Sequence, residues 1–186
     1  MPAMPFSVRT RIGFVLVAAA TLTLVGCSPP SPGGRPTETV RQSAFSSLDE
    51  VFEAAVAAYQ DYIDLWNQIA AEGGADPERI ASVMESEEAA AEDIAVFEGL
   101  VAEGVRISGP IAFHNPRLVH YRDGVPQIQV NACFDRSRAR LVDREGNDVT
   151  SPTREERIPL KITFAITESG SVVVSRSQEW KRPGIC

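Results

Sequence analysis

The chain has 186 residues, of which 44% are hydrophobic and 23% charged, and its formal net charge at pH 7 is −7. This composition is ordinary for a globular protein and excludes a wholly disordered or collagen-like chain. The acidic balance argues against a nucleic-acid partner, because binding to phosphate backbones depends on basic residues. No apolar run reaches the roughly 18–20 residues that a membrane-spanning helix needs.

Residues 1–26 have the parts of an export signal. Arg9 and Arg11 supply positive charge, and residues 12–25 form an apolar stretch that is short for a membrane span. The stretch ends in Leu24-Val25-Gly26-Cys27, which resembles the lipobox of bacterial lipoproteins. That resemblance implies removal of residues 1–26 and a diacylglyceryl group on Cys27. The alternative is an ordinary secretory signal followed by an unrelated cysteine.

Residues 27–45 contain four prolines and two glycines. Proline and glycine at this density favour neither helix nor strand. We therefore expect the lipidated cysteine to be followed by a disordered tether, with a single folded domain over residues 46–186. The expected location is the extracytoplasmic face of the cell membrane, with the N-terminal lipid as the anchor.

Two cysteines remain once Cys27 is lipidated. Cys133 and Cys186 form an even pair in an exported, oxidising setting, which predicts a disulfide. Two free thiols are the alternative. Two cysteines and two distant histidines show no metal-ligand spacing, so we expect neither a metal nor a cofactor.

A long first helix is predicted after Ser47. Ser47-Leu48-Asp49-Glu50 matches a capping box, in which the serine caps the helix and the glutamate answers it. Apolar residues then recur at steps of three and four to about Ala71. The apolar face is wide, which suits a helix lying in a concave surface.

Two further helices are predicted before the strands. Asp76-Pro77 favours a short helix with a capping aspartate and proline at its first position. The third helix begins near Ser86 and stops at Gly104. Its buried stripe is predicted to consist of Ala90, Ile94, Phe97 and Val101.

From Val105 onward the hydrophobic period changes to two, which indicates strands. Asp123-Gly124 predicts a hairpin turn, and His114, before Asn115-Pro116, is expected in a turn. Helices followed by an antiparallel meander define an α+β fold. The predicted strands cover residues 105–113, 118–122, 127–135, 139–143, 158–166 and 171–180.

Charge is divided at the same boundary. Residues 47–104 contain 15 acidic residues and one basic residue, whereas residues 105–186 contain 9 acidic and 13 basic residues. The acidic helices could be held away from anionic lipid head groups, or they could simply present solvated faces.

This order of elements resembles the cone-shaped nuclear transport factor 2-like superfamily. The textures that carry the resemblance are Ala58-Tyr59-Gln60-Asp61-Tyr62 with Trp66, and Val130-Asn131-Ala132-Cys133-Phe134-Asp135. The chain is also similar to lipoproteins of high-GC Gram-positive bacteria that carry such a domain. The resemblance implies a long helix that covers a curved sheet above an apolar pocket. Members include isomerases, dehydratases and cyclases as well as non-catalytic binding proteins.

The candidate pocket residues are aromatic, with few ionisable groups among them. Tyr59, Tyr62 and Trp66 lie within the first predicted helix, while His120 and Arg176 are the strand residues that could face inward. The carboxylates fall at strand ends or on the polar side of the strands, so no catalytic residue is assigned. Aromatics at helical spacing are more often core than pocket lining, and a β-bulge would reverse the orientation of Arg176.

We therefore expect a non-catalytic module that binds a small apolar ligand or an envelope protein. The alternative is a small-molecule isomerase, dehydratase or cyclase that uses the pocket.

Overall fold

The computed structural model describes residues 45–181 and 184–186. The export signal, Cys27 and nearly all of the predicted tether therefore lie outside the described residues. Phe45 packs edge-on against Tyr121, with ring centroids 6.2 Å apart. Among the described residues, no helix is both long and apolar enough to cross a membrane.

The first helix, α1, spans Leu48–Ala71. The Ser47 hydroxyl accepts a hydrogen bond from the backbone N–H of Glu50, as the capping box predicts. The Glu50 carboxylate accepts hydrogen bonds from the backbone N–H and the hydroxyl of Ser46, one residue earlier than predicted. One turn of this N-terminus is therefore held by two serines.

A short 3₁₀ helix, Pro77–Val83, follows α1. The prediction of an aspartate cap here was wrong, because Asp76 adopts the left-handed conformation (φ 48°) and its side chain makes no capping bond. Gly74, just before it, packs against the backbone of Phe97, and a Cβ at this position would clash with the Phe97 carbonyl. This close approach brings the end of α1 against the helix that contains Phe97.

Helix α2 spans Glu87–Glu103, with Ser86 as its cap and left-handed Gly104 at its end. Ala90 and Phe97 are fully buried, as predicted. The predicted stripe was wrong at its last position, because Val101 is 54% exposed and Leu100 is buried in its place. Leu100 lies three residues after Phe97 and therefore on the same face of the helix, so it continues the buried stripe in place of Val101.

The strands form two antiparallel sheets, which confirms the α+β class. A two-stranded sheet pairs β1 with β4, and a four-stranded sheet has the order β2-β3-β5-β6. The single meander predicted from the sequence was therefore wrong for the two short strands. The strands are β1 Arg106–Ser108, β2 Ala112–Tyr121, β3 Gln127–Asp135, β4 Arg140–Val142, β5 Arg157–Ile166 and β6 Val172–Glu179.

The placement of His114 in a turn was wrong. His114 lies within β2, opposite Cys133 of β3, and the pairing register shifts between His114 and Arg117. Asn115 adopts a left-handed conformation (φ 52°) in this bulge. The bulge accommodates Pro116, which has no N–H to donate to a regular ladder.

The four-stranded sheet has an inner face toward α1 and an outer face. Ile128, Val130, Ile162 and Phe164 are buried on the inner face, where they sit opposite one another in register. Asn67 of α1 fastens the helix to the segment before β2. Its amide donates to the Ile111 carbonyl and accepts from the Ile111 N–H, both at 2.8 Å.

Cys133 and Cys186 lie at disulfide distance, with their sulfur atoms 2.19 Å apart and their Cα atoms 5.0 Å apart. Cys133 is on the outer face of β3, so the bond ties residues 184–186 to an inner strand of the sheet. Asn115 Nδ2 also donates to the Ile185 carbonyl at 3.5 Å. The disulfide and this bond hold the segment across one end of the outer face.

Reduction of the Cys133–Cys186 bond should lower the free energy of unfolding by up to about 4 kcal/mol, because 53 positions separate the two cysteines and a loop of that length gains much entropy when opened. Denaturant unfolding with and without reductant measures the change. A Cys133→Ser/Cys186→Ser variant is the control and should not respond to reductant. Equal midpoints for the oxidised and reduced wild type would contradict the bond.

Candidate functional site

The tyrosines of α1 lie in the space between this helix and the inner face of the sheet. Tyr59 is 2% exposed, and its ring meets Phe113 edge-on at 4.9 Å and Phe164 at 6.3 Å. Tyr62 stacks on Tyr59 at 5.5 Å. Rings at these distances fill the region in which the sequence predicted an apolar pocket.

Trp66 lies further along α1, at the contact with α2. Its ring is half-buried and lies 5.1 Å from that of Phe97. Tyr59, Tyr62 and Trp66 thus lie close together as packed side chains between elements.

Asp93 of α2 is the acid of this cluster. Its carboxylate accepts hydrogen bonds from the Tyr62 hydroxyl at 2.9 Å and from Trp66 Nε1 at 3.1 Å. Each of its two oxygens therefore has a donor from α1. The carboxylate bridges the two helices.

Burial raises the pKa of Asp93, and the hydrogen bonds from Tyr62 and Trp66 oppose that rise. Burial also raises the pKa of Tyr59 to about 12, partly offset by its contact with Ser177. The pKa of Tyr62 is raised well above its ordinary value, first by burial and then by the charge of Asp93. The two phenols therefore remain neutral near pH 7.

Ser177 of β6 continues the polar contacts to the sheet. Its hydroxyl is 3.5 Å from the Tyr59 hydroxyl. The chain of contacts runs from Ser177 to Tyr59, across the stacked rings to Tyr62, and on to Asp93 and Trp66. None of these groups is an unpartnered base or nucleophile.

The prediction that Arg176 faces inward was wrong. The β5–β6 pairing shifts between Thr163 and Phe164, so that Val174 and Ser177 both face the inner side while Arg176 pairs with Thr163 on the outer side. Arg176 is exposed. The bulge adds one residue to β6 and reverses the orientation of those that follow.

His120 does not line the interior either. A second register shift, between Leu118 and His120, places His120 opposite Gln129 on the outer face. His120 is exposed. The prediction that it could line a pocket with Tyr59 and Tyr62 was wrong, because the bulge breaks the alternation that started from Leu118.

His114 and Asp135 meet at the end of the outer face that carries Cys133. His114 Nε2 is 3.5 Å and Arg157 Nε 3.2 Å from Asp135 Oδ2. Hydrogen bonds from Ser137, followed by Arg157, lower the pKa of Asp135 to about 2. This carboxylate is held ionised by structural partners.

Two open grooves lie on the surface of the domain. One, of about 680 Å³, separates the start of α2 from β6 and is lined by Glu85, Glu88, Glu92, Arg176 and Ser177, among others. The other, of about 600 Å³, lies among the ends of α1 and α2 and residues 142–146. Neither is lined by Tyr62, Trp66 or Asp93.

No cluster of three His, Cys, Asp or Glu side chains is placed to hold a metal ion within residues 45–181 and 184–186. A different polar group stands out at the centre of β3. Asn131 is 7% exposed, and its side-chain oxygen is buried without a hydrogen-bond partner.

Sequence reasoning missed Asp93 and Ser177. Asp93 looked like one of several acids near the start of α2, yet it lies three residues after Ala90 and four before Phe97. Helical spacing from these two buried residues could have placed it on the buried face. Ser177 depends on the position of a bulge, which no residue type in β6 marks.

No protein-family model matches the chain, and no curated protein matches it significantly. Two solved structures of proteins from Catenulispora acidiphila, one in complex with S-DNPA, each give a TM-score of 0.45 at 12% identity. The matches cover 69% and 68% of this chain and 91% and 92% of those chains. Aln2 from a Streptomyces species gives 0.41 at 12% identity, covering 72% of this chain and 90% of its own. These values assign neither a family nor a function.

Replacing Asp93 should separate its structural role from that of an ordinary surface acid. Asp93→Ala leaves the Tyr62 hydroxyl and the Trp66 N–H without their acceptor, so we expect a loss of about 2–4 kcal/mol in the free energy of unfolding. Asp93→Asn keeps hydrogen-bonding capacity and should lose less. Chemical denaturation followed by Trp fluorescence measures both.

The pH dependence gives a second readout. Because the pKa of Asp93 is raised in the folded state, the folded protein binds the proton more tightly than the unfolded chain. Its contribution is therefore most favourable at acid pH and is lost as the pH rises from the unfolded pKa through the raised folded pKa. Wild type should lose stability relative to Asp93→Asn across this window. Asp61→Asn, which removes the same charge from an exposed position on α1, is the control. An equal loss of wild-type stability relative to both variants over this pH range would contradict the assignment to Asp93.

Proposed function

We propose that the protein is a lipid-anchored, extracytoplasmic interaction module that works through its surface and performs no catalysis. The aromatic packing beneath α1 is the observation that carries this proposal. Tyr59, Phe113 and Phe164 occupy the space beneath α1, where a ligand-binding or catalytic member of a cone-shaped family would need a cavity. A ligand site normally needs a concave space with convergent polar groups.

The enzymatic alternative has one observation in its favour. An acid with a raised pKa beside a tyrosine is typical of catalytic sites, and half-buried Asp93 with Tyr62 fits that description. Both oxygens of Asp93 are occupied by donors from α1. Asp93 lines neither groove described above, which supports a structural role.

The family proposed for the domain is the nuclear transport factor 2-like superfamily. Its support is the order of elements, with a long helix lying against the inner face of a four-stranded antiparallel sheet. The lipid anchor is proposed from Leu24-Val25-Gly26-Cys27 and from the basic and apolar segments before it. Two acyl chains suffice for stable attachment to a membrane.

Cys27→Ala should abolish lipidation and processing at that position. Mass spectrometry of the N-terminal peptide from membrane-extracted wild type should find a diacylglyceryl group on Cys27, and the variant should lack it. Cys186→Ser, which leaves the lipobox intact, serves as the control. A wild-type peptide without lipid would end the anchor proposal.

The aromatic packing beneath α1 predicts how the domain responds to a small apolar probe. Wild type should show no rise in melting temperature with benzene, because an enclosed apolar cavity is what retains such a ligand. Tyr59→Ala should lose about 3–5 kcal/mol and open a cavity, so that benzene partly restores its melting temperature by binding the folded state. Saturable stabilisation of wild type by benzene would favour the pocket and the enzymatic alternative, if substitutions that enlarge side chains near Tyr59 abolish it.

A further inference from the structure

The structure separates charge between the two sides of the four-stranded sheet. The helices cover the inner side, and residues 47–104, which contain them, carry 15 acidic residues and one basic residue. The outer side bears side chains from β2, β3, β5 and β6, and the disulfide with Cys133 holds residues 184–186 across one end of it.

The outer face contains two rows of residues that run across all four strands. Strand pairing aligns His120, Gln129, Thr163 and Arg176 in one row, and Arg117, Asn131, Lys161 and Gln178 in the next. Residues paired in this way project from the same face of a sheet. His120 and Arg176 end the first row, whereas the second has Arg117 at one end, buried Asn131 next to it, and Lys161 beside Gln178 at the other end.

The positive charges of these rows form no ion pair within the described part of the chain, and Arg176 shares the groove at the start of α2 with Glu85, Glu88 and Glu92. Arg117 and Arg176 are exposed, and no carboxylate of the described residues lies within ion-pair distance of either. Asp135 is the acid that the strand register places on this face, and Arg157 lies beside it at 3.2 Å. The outer face thus keeps a positive excess.

An aromatic side chain stands beside these charges. Lys161 Nζ lies 5.8 Å from the ring centre of Trp180, just after β6. Trp180 is half-buried, and its backbone N–H donates to the Pro159 carbonyl at 2.7 Å. Tryptophan and lysine together are typical of surfaces that meet the head-group region of a bilayer.

We propose that the outer face of the sheet docks on the anionic surface of the membrane that holds the Cys27 lipid. The inference rests on the proposed anchor, which confines the domain near the bilayer and raises the effective concentration of a weakly binding face. Basic residues are attracted to anionic lipid within about one Debye length, roughly 10 Å. The acidic helices on the opposite side are repelled, so both forces favour the same orientation.

An acidic protein is the competing occupant of this face. The bilayer is favoured because the attracted and the repelled sides lie on opposite surfaces of one sheet, which orients the domain on a planar, uniformly charged partner. A protein partner requires no such repulsion from the far side.

Energy transfer from Trp180 to a dansyl-labelled lipid head group tests the orientation. The lipidated protein is placed in vesicles of phosphatidylcholine alone or with phosphatidylglycerol, and the signal of Trp180 is the difference between wild type and Trp180→Phe. Phosphatidylglycerol should raise this transfer, and added salt should reverse the rise. Arg117→Glu/Arg176→Glu, on the two edge strands, should lose at least about half of the phosphatidylglycerol-dependent transfer, because each basic residue contributes to membrane attraction.

Arg106→Glu/Arg138→Glu is the matched control. Both arginines are exposed and lie outside the four-stranded sheet, so this variant changes charge equally and should keep the transfer. A Trp180 signal that is independent of phosphatidylglycerol, or an equal loss in both double variants, overturns membrane docking. A signal independent of phosphatidylglycerol but changed by polyglutamate, in wild type and not in Arg117→Glu/Arg176→Glu, assigns the face to an acidic protein and also overturns it.

Different measurements test the anchor proposal and the docking proposal. If the protein does not sediment with vesicles of phosphatidylcholine alone, Cys27 carries no lipid and the anchor proposal fails. A protein that sediments with both kinds of vesicle, but whose Trp180 transfer does not respond to phosphatidylglycerol, keeps the anchor and loses the docking face.

Discussion

The carboxylate of Asp93 is the constraint on which the helical layer depends. Withdrawing an acid from water is costly unless its oxygens are satisfied, and both oxygens of half-buried Asp93 are satisfied by one helix, through Tyr62 and Trp66. This requirement fixes the rotation of α1 against α2. With that rotation fixed, Tyr59 is turned toward Phe113 and Phe164 of the sheet, so the bond that joins the helices also closes the interior.

Two bulges determine what the outer face of the sheet displays. Without the register shift in β2, His120 would lie on the same side as Leu118, and without the shift opposite β5, Arg176 would follow Val174 inward. Each bulge moves an ionisable side chain from the interior to solvent. The inner face is left with apolar and aromatic groups, and the outer face gains charge. The same irregularities thus remove candidate catalytic groups from the interior and create a surface suited to a charged partner.

Local signals in the sequence predicted most of the elements. Ser47, Ser86 and Gly104 mark helix ends through hydrogen bonds and a left-handed turn that depend on the residue type, and alternation over Gln127–Asp135 predicted β3 with its observed bounds. Features that depend on tertiary context were not predictable in this way. The outward orientation of His120 and Arg176 depends on bulges, and the burial of Asp93 depends on two aromatic donors in another helix. The predicted group of five pocket residues therefore divided into a packed cluster and two exposed side chains.

Hydroxyl-radical footprinting of the protein in its own membrane tests most directly the claim that the sheet surface, and not the interior, is the working part. His120 and Trp180 represent the outer face, and Leu48, which is 60% exposed on α1, represents the helical side. Oxidation is compared between intact membranes and detergent-extracted protein. The account predicts protection of His120 and Trp180 in the membrane with Leu48 unchanged. Protection of Leu48 without protection of His120 and Trp180 would contradict it.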